Sequence, residues 1–310
     1  MAASAAAQSR LATTDLYKLR SVGDVAISPD GTKIAYTVST NPQEGRPYSQ
    51  LWILDVAGGQ SARVGDERSR GASPVWSPDG TRLAFEGRVG DGAGGLTVVR
   101  ADGTGAEVLW RMAGTNRAAI TVPGSAIAWS PDGTRIAFVH ATPGPETTDA
   151  GGDPMVITRY LYKPTADEGN TRFNDNRRLH IFVVDLATKQ VRPLTAGVYS
   201  EHSPAWSPVG DEIVFVSNRE PDPDFVFNND LFVVTVGDGR IRRITATENA
   251  EYRPRWSPDG KTIAYQATRR GLTDLETAME DTHAWTVGAD GSNRKEIGAS
   301  IDNRQGGPEW

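Results

Sequence analysis

A chain of 310 residues with a formal net charge of −6, a pI near 5.4, 33 glycines, 19 prolines and no cysteine excludes several protein classes. Without Cys there is no disulfide, thiolate nucleophile or Cys-bound zinc. No basic stripe offers the electrostatic footprint of a nucleic-acid partner, and no apolar run approaches the roughly 20 residues of a membrane-spanning helix.

Met1 to Gln8 is Ala-rich but has neither the basic region nor the apolar core of an intact signal peptide. The expected compartment is the cytoplasm. If the Ala-rich start is the remnant of a cleaved signal, the periplasm or the outside is the alternative. Residues 1–21 are expected to form a tail with one short helix near Asp15 to Arg20.

From residue 22 onward the chain repeats itself. Ser28-Pro29-Asp30-Gly31 recurs at Ser77-Pro78-Asp79-Gly80, Ser130-Pro131-Asp132-Gly133 and Ser257-Pro258-Asp259-Gly260, with a degenerate copy at Ser207-Pro208-Val209-Gly210. Ile27, Trp76, Trp129, Trp206 and Trp256 precede the serines, and Trp310 stands in the same phase, at spacings of 49, 53, 77, 50 and 54 residues. Pro fixes φ, Asp bonds its own backbone and Gly accepts positive φ, so each copy is a tight turn between two strands. A short alternating run follows each turn: Ile34-Ala35-Tyr36, Leu83-Ala84-Phe85, Ile136-Ala137-Phe138, Ile213-Val214-Phe215 and Ile263-Ala264-Tyr265. Large apolar residues two apart share one face of a strand, and the small residue between them leaves the other face open to close packing by a neighbouring sheet. Two further strands complete each unit, as in Ile181-Phe182-Val183-Val184 with Val191-Arg192-Pro193-Leu194.

Four short antiparallel strands per repeat describe a blade of an all-β propeller. Blades are expected to begin near residues 22, 71, 124, 201 and 251. A sixth, begun near 305, would have only its first strand, so the chain is expected to be part of a larger ring. In this reading the repeated Trp packs between blades. The repeated Asp is a turn residue and not a calcium ligand, because calcium needs several oxygens from one loop.

The combination of these repeats with three linking segments resembles the propeller of the prolyl oligopeptidase (S9) family of serine peptidases, in its acylaminoacyl-peptidase and dipeptidyl-aminopeptidase branch. The segments are Thr14-Asp15-Leu16-Tyr17-Lys18-Leu19-Arg20-Ser21-Val22, Arg177-Arg178-Leu179-His180-Ile181-Phe182-Val183-Val184-Asp185 and Val216-Ser217-Asn218-Arg219-Glu220-Pro221-Asp222-Pro223-Asp224. The resemblance implies a propeller that caps a C-terminal α/β-hydrolase domain of the same parent chain and restricts entry to peptides. The hydrolase would carry the Ser, Asp and His of catalysis, with the Ser on a G-x-S-x-G elbow. No such elbow occurs here, so no catalytic residue is assigned, no cofactor is expected, and the chain alone is expected to be inactive.

The longest insertion lies between Phe138 and His180. Its aromatics beside Arg and Glu suit a peptide terminus, Glu for an amino group and Arg for a carboxylate. Arg159, Tyr160, Tyr162 and Glu168 are the candidate substrate contacts, against the alternative of a loop that only packs on the partner domain. The run Glu220 to Asp224 is acidic enough for a cation, but its prolines and blade-edge placement favour a solvated connection. His140, His180, His202 and His283 read as surface or strand-edge residues, and a metal site of the kind found in oligogalacturonate lyases would need several of them to converge. The rival from another class is a stand-alone TolB-like propeller that presents a surface to partner proteins. Such proteins carry an α/β domain before the first blade, where this chain has about 20 residues.

Overall fold

A computed structural model describes residues 12–41, 47–115, 124–160, 174–272, 281–301 and 305. Its strands form five four-stranded antiparallel sheets, each a simple meander. Sheet 1 contains β1 (Arg20–Ile27), β2 (Lys33–Thr40), β3 (Tyr48–Asp55) and β4 (Gln60–Arg63). Sheet 2 contains β5 (Arg70–Trp76), β6 (Arg82–Arg88), β7 (Gly95–Arg100) and β8 (Glu107–Trp110). Sheet 3 contains β9 (Ile127–Trp129), β10 (Arg135–Thr142), β11 (Arg178–Asp185) and β12 (Val191–Pro193). Sheet 4 contains β13 (Glu201–Trp206), β14 (Glu212–Ser217), β15 (Asp230–Thr235) and β16 (Ile241–Arg243). Sheet 5 contains β17 (Glu251–Trp256), β18 (Thr262–Ala267), β19 (His283–Gly288) and β20 (Lys295–Glu296). A 3-10 helix at Thr13–Lys18 precedes β1, with Asp15 accepting from the Ala12 N–H at 2.8 Å. Among the described residues no helix is long and apolar enough to cross a membrane.

The chain divides into two compact units. One comprises Met1–Trp76 and Gly80–Val108, the other Ser77–Asp79 and Leu109–Trp310. Sheets 1 and 2 fall in the first, apart from Leu109 and Trp110 at the end of β8, and sheets 3 to 5 in the second.

The turn between the first two strands of a sheet follows from its residues. In the first copy the Ser28 hydroxyl donates to Asp30 Oδ1 at 2.6 Å, Asp30 Oδ1 accepts from the Thr32 N–H at 3.0 Å, and Ser28 Oγ accepts from the Lys33 N–H at 2.9 Å. Gly31 closes the turn at φ +70°, a conformation that Gly adopts without a Cβ penalty. Ser130 and Asp132, and Ser257 and Asp259, repeat the arrangement. The aspartates are thus occupied inside their own turns.

Adjacent sheets within each unit pack as the alternation requires. Ala137, Ile181 and Val183 of sheet 3 meet Trp206, Ile213, Phe215 and Val234 of sheet 4. Val214, Val216, Leu231 and Val233 on the opposite face of sheet 4 meet Trp256, Ile263 and Tyr265 of sheet 5. In the first unit Ala35, Leu51 and Ile53 receive Trp76, Leu83 and Phe85. The face of one sheet that carries the Trp and the large residues after the turn therefore packs on the opposite face of the sheet before it. The Trp indoles add a polar tie: Trp76 Nε1 donates to Ala26 O, and Trp256 Nε1 to Ala205 O, each at 3.0 Å.

Three residues before Trp76, Trp206 and Trp256, the first strand bulges. Ser73, Ser203 and Arg253 take φ of 52°, 53° and 50°, where the pairing with the second strand shifts register. A bulge of this kind bends a strand and strengthens its twist.

Candidate functional site

The insertion after β10 and the connection between β14 and β15 meet in the second unit. The insertion is anchored at its base by Arg178, which is almost fully buried. Arg178 Nη2 reaches Glu146 Oε2 at 2.7 Å, Nη1 donates to Asn176 O at 2.7 Å, and Nε donates to Val198 O at 2.7 Å. All three nitrogens of the guanidinium thus have an acceptor, so its burial is compensated.

Higher in the insertion, Arg159 and Tyr160 contact consecutive residues of the other loop. Arg159 Nε donates to Asp224 Oδ2 at 3.0 Å, and its Nη2 donates to Asp224 Oδ1. The two side chains are 9% and 5% exposed. Among the described residues Arg159 Nη1 is buried with no hydrogen-bond partner. Tyr160 lies against Phe225 with ring centroids 4.4 Å apart and planes tilted by 41°. Both rings keep a substantial exposed edge. One residue of each loop thus forms a buried ion pair, and the next forms an open aromatic pair above it.

One sequence expectation changes here. The acidic run Glu220 to Asp224 is not a fully solvated connection, because Asp224 is buried. The cation that this carboxylate takes is Arg159 of the same chain, brought to it by a loop 65 residues away in sequence. Glu220 accepts from Asn228 Nδ2 at 2.7 Å and so belongs to the loop's own framework. Arg159 in turn directs Nε and Nη2 at Asp224 and positions Tyr160. Tyr162 and Glu168 lie outside the described residues.

The histidines also differ from expectation: His180, His202 and His283 are buried. His180 Nδ1 lies 2.7 Å from Glu201 Oε2, and Arg219 Nη2 is 3.3 Å from Glu201 Oε1. His202 Nδ1 lies 2.9 Å from Ser203 Oγ, but the two are sequence neighbours enclosed in β13, which presents no nucleophile to a substrate. His283 Nδ1 is 3.4 Å from Glu296 Oε1. His140 Nδ1 accepts from the Ala113 N–H at 2.9 Å, and burial, with the nearby Arg177 charge, holds its pKa below the usual imidazole value. Strand ends in this fold lie against the next sheet, and a histidine there is enclosed. Among the described residues no group of three or more His, Asp or Glu side chains could hold a metal ion.

Sequence reasoning missed the buried carboxylates between sheets. Glu201 and Glu251 each stand five residues before their Trp, and both are enclosed. The signal was present in the repeat phase, since an acidic residue recurring at an interior position needs interior partners.

Comparison with known proteins follows the same lines. Residues 161–304 match the model of the PD40 family, described as the TolB beta propeller domain. The uncharacterized peptidase YuxL of Bacillus subtilis is 30% identical over 214 residues, which cover 66% of this chain and 30% of that protein. The acylaminoacyl peptidase of Pyrococcus horikoshii superposes with a TM-score of 0.60 at 17% identity, over 92% of this chain and 41% of that one. A putative TolB from Agrobacterium tumefaciens gives a TM-score of 0.58 at 17% identity, over 89% of this chain and 80% of that one. The two structural likenesses establish the propeller fold, and the chain spans less than a third of the length of its curated peptidase relative.

Proposed function

We propose that this chain, a PD40 β-propeller resembling the N-terminal domains of S9 peptidases, gates the active site of such a peptidase in its parent protein. Its partner in this reading is a C-terminal α/β-hydrolase domain of the same parent chain, which supplies the Ser, Asp and His. The substrates are peptides or acyl-peptides. The propeller excludes folded proteins and helps to place the end of the substrate. The sequence match to a peptidase over 214 residues carries this reading, because it covers 66% of the chain and so reaches well beyond the repeated turns.

Within the gate, Arg159, Tyr160, Tyr162 and Glu168 are the proposed substrate contacts. The ion pair of Arg159 with Asp224 supports a particular division of labour. Arg159 holds the loop, and Tyr160 with Phe225 presents a rigid apolar surface to a substrate side chain. A rigid aromatic contributes contact area at low entropic cost.

The test begins with the intact mass of the product of the native gene and continues with its peptidase activity. The expected product is longer than this chain and cleaves short acyl-peptides and aminoacyl-nitroanilides while sparing folded proteins. Tyr160→Ala in that product is expected to raise KM several-fold with kcat nearly unchanged, as loss of uniform binding requires. Nitroanilide hydrolysis by the 310-residue chain alone would contradict the proposal. So would a native product that ends at Trp310, which would favour a TolB-like scaffold.

A further inference from the structure

The joints between sheets 3 and 4 and between sheets 4 and 5 share a Thr–Glu relay but differ in what surrounds it: His180, Pro193 and Gly197 of the first stand where Asp230, Arg243 and Thr247 stand in the second. Phe182 pairs with Phe138 in sheet 3, and Phe232 pairs with Phe215 in sheet 4. His180 and Asp230, each two residues earlier, therefore hold the same position. In the first joint Thr195 Oγ1 accepts from the Ile181 N–H at 2.9 Å and donates to Glu201 at 3.1 Å. In the second, Thr245 Oγ1 accepts from the Leu231 N–H at 2.8 Å and donates to Glu251. Each relay runs from the third strand of one sheet to the first strand of the next. Against Glu201 the first joint sets His180 and Arg219. Against Glu251 the second sets another carboxylate, Asp230.

Asp230 and Glu251 are both buried and are bridged by one residue. Thr247 donates its N–H to Asp230 Oδ1 and its hydroxyl to Glu251 Oε1, each at 3.1 Å. The other groups that face the pair come from sheets 4 and 5. Arg243 pairs with Asp230. Arg294 Nη2 stays 3.9 Å from Glu251, while its Nε donates to Tyr265 Oη at 2.9 Å and its guanidinium lies 4.0 Å from the Trp285 ring centroid. Among the described residues Asp230 thus has a close cation, whereas the cation beside Glu251 stands farther off. Two carboxylates in a dry joint with this imbalance do not both ionise cheaply.

We propose that the Asp230–Glu251 pair is a proton-operated joint, which holds sheet 5 on sheet 4 while a proton is present and loosens when it leaves. Burial, with the Asp230 charge added, pushes Glu251 up to about 7, and burial also raises Asp230. Tyr265 is raised as well, by burial first and then by Glu251, so it remains a neutral phenol facing the pair. Because the folded pKa of Glu251 lies above its exposed value of 4.5, the stabilisation is fully present below pH 4.5. It is lost as pH rises through about 7.

Hydrogen exchange of the whole chain, read by mass spectrometry and corrected for intrinsic rates, tests this at about pH 5.5 and about pH 8. A carboxyl that titrates at 4.5 when exposed and about 7 in place raises the opening constant of β19 about 25-fold between these conditions. Glu251→Gln is expected to reduce that rise to less than about threefold. Asp230→Asn is expected to move the midpoint to lower pH, since it removes the charge that opposes ionisation of Glu251. His283, beside Glu296 on sheet 5, is unchanged in both variants, so any part it plays is common to all three chains. A wild-type chain whose β19 exchange does not change with pH would overturn the proposal, as would Glu251→Gln retaining the full rise. If Glu251→Gln does not fold, an unmoved midpoint in Asp230→Asn overturns it and a lowered midpoint supports it.

Discussion

Replacing Asp224 with Asn should be among the most damaging single changes on the loops of the second unit. The Arg159 and Asp224 side chains are 9% and 5% exposed, so water cannot take over the lost interaction. Arg159 Nη1 already lacks a partner. An asparagine offers one oxygen where the carboxylate offers two, so Nε or Nη2 would also be left unpaired, and the guanidinium charge would be uncompensated. Breaking a buried pair from one side costs about 3–5 kcal/mol. The matched double variant Arg159→Met with Asp224→Leu removes both charges and their desolvation together, and should lie within about 2 kcal/mol of wild type. With Arg159→Met and Asp224→Leu made singly, each at about 3–5 kcal/mol, the closed cycle predicts a coupling of about 4 kcal/mol or more. Urea unfolding followed by far-UV circular dichroism measures it, and near-UV dichroism reports whether the Tyr160–Phe225 pair stays ordered. Asp224→Asn within about 1 kcal/mol of wild type would refute the reasoning. So would a double variant as unstable as the single.

Trp256→Phe should destabilise more than Trp206→Phe by about 2 kcal/mol, because Trp256 Nε1 donates to Ala205 O whereas Trp206 Nε1 is buried without a partner. Equal shifts in the urea midpoint would count against it. Asp30 and Asp132 are held at about 2, chiefly by the Ser28 and Ser130 hydroxyls. Folded pKa values below the exposed value of 3.8 mean that these turns are stabilised above pH 3.8 and lose that support as pH falls through about 2. Ser130→Ala should move the carboxyl NMR titration of Asp132 toward 3.8, and an unmoved curve would contradict the role given to Ser130. Gly133→Ala should cost about 1 kcal/mol through its positive φ alone. Gly260→Ala should cost more, because its Cβ would stand 2.2 Å from Val209 Cγ2. Thermal melts of the two variants decide this, and equal losses would speak against the clash.

The architecture was legible because a propeller blade is a local object. Ser28-Pro29-Asp30-Gly31 forms its turn from contacts within five residues, and the run Ile34-Ala35-Tyr36 assigns its faces by alternation alone. Repetition then multiplied a weak strand signal into a clear one. The repeated Trp, always buried where it precedes a Ser in the described copies from Trp76 onward, was readable as a packing element for the same reason.

The candidate site was legible only in part. Arg159 and Tyr160 stood out by composition, but nothing near them in sequence indicates that Asp224 and Phe225 are their partners. Glu251 looks like any acidic residue before a strand, and its neighbours Asp230, Thr245 and Arg294 come from separate strands and turns.

By itself, then, the sequence determined the blade, its turns, its two faces and the resemblance to peptidase propellers. Each of these depends on short-range geometry or on a pattern repeated along one dimension. Tertiary structure decided which charges are buried and which are paired. Ionisation and ion pairing depend on burial and on distances of a few ångströms between groups 13 to 65 residues apart, and a linear pattern carries neither quantity.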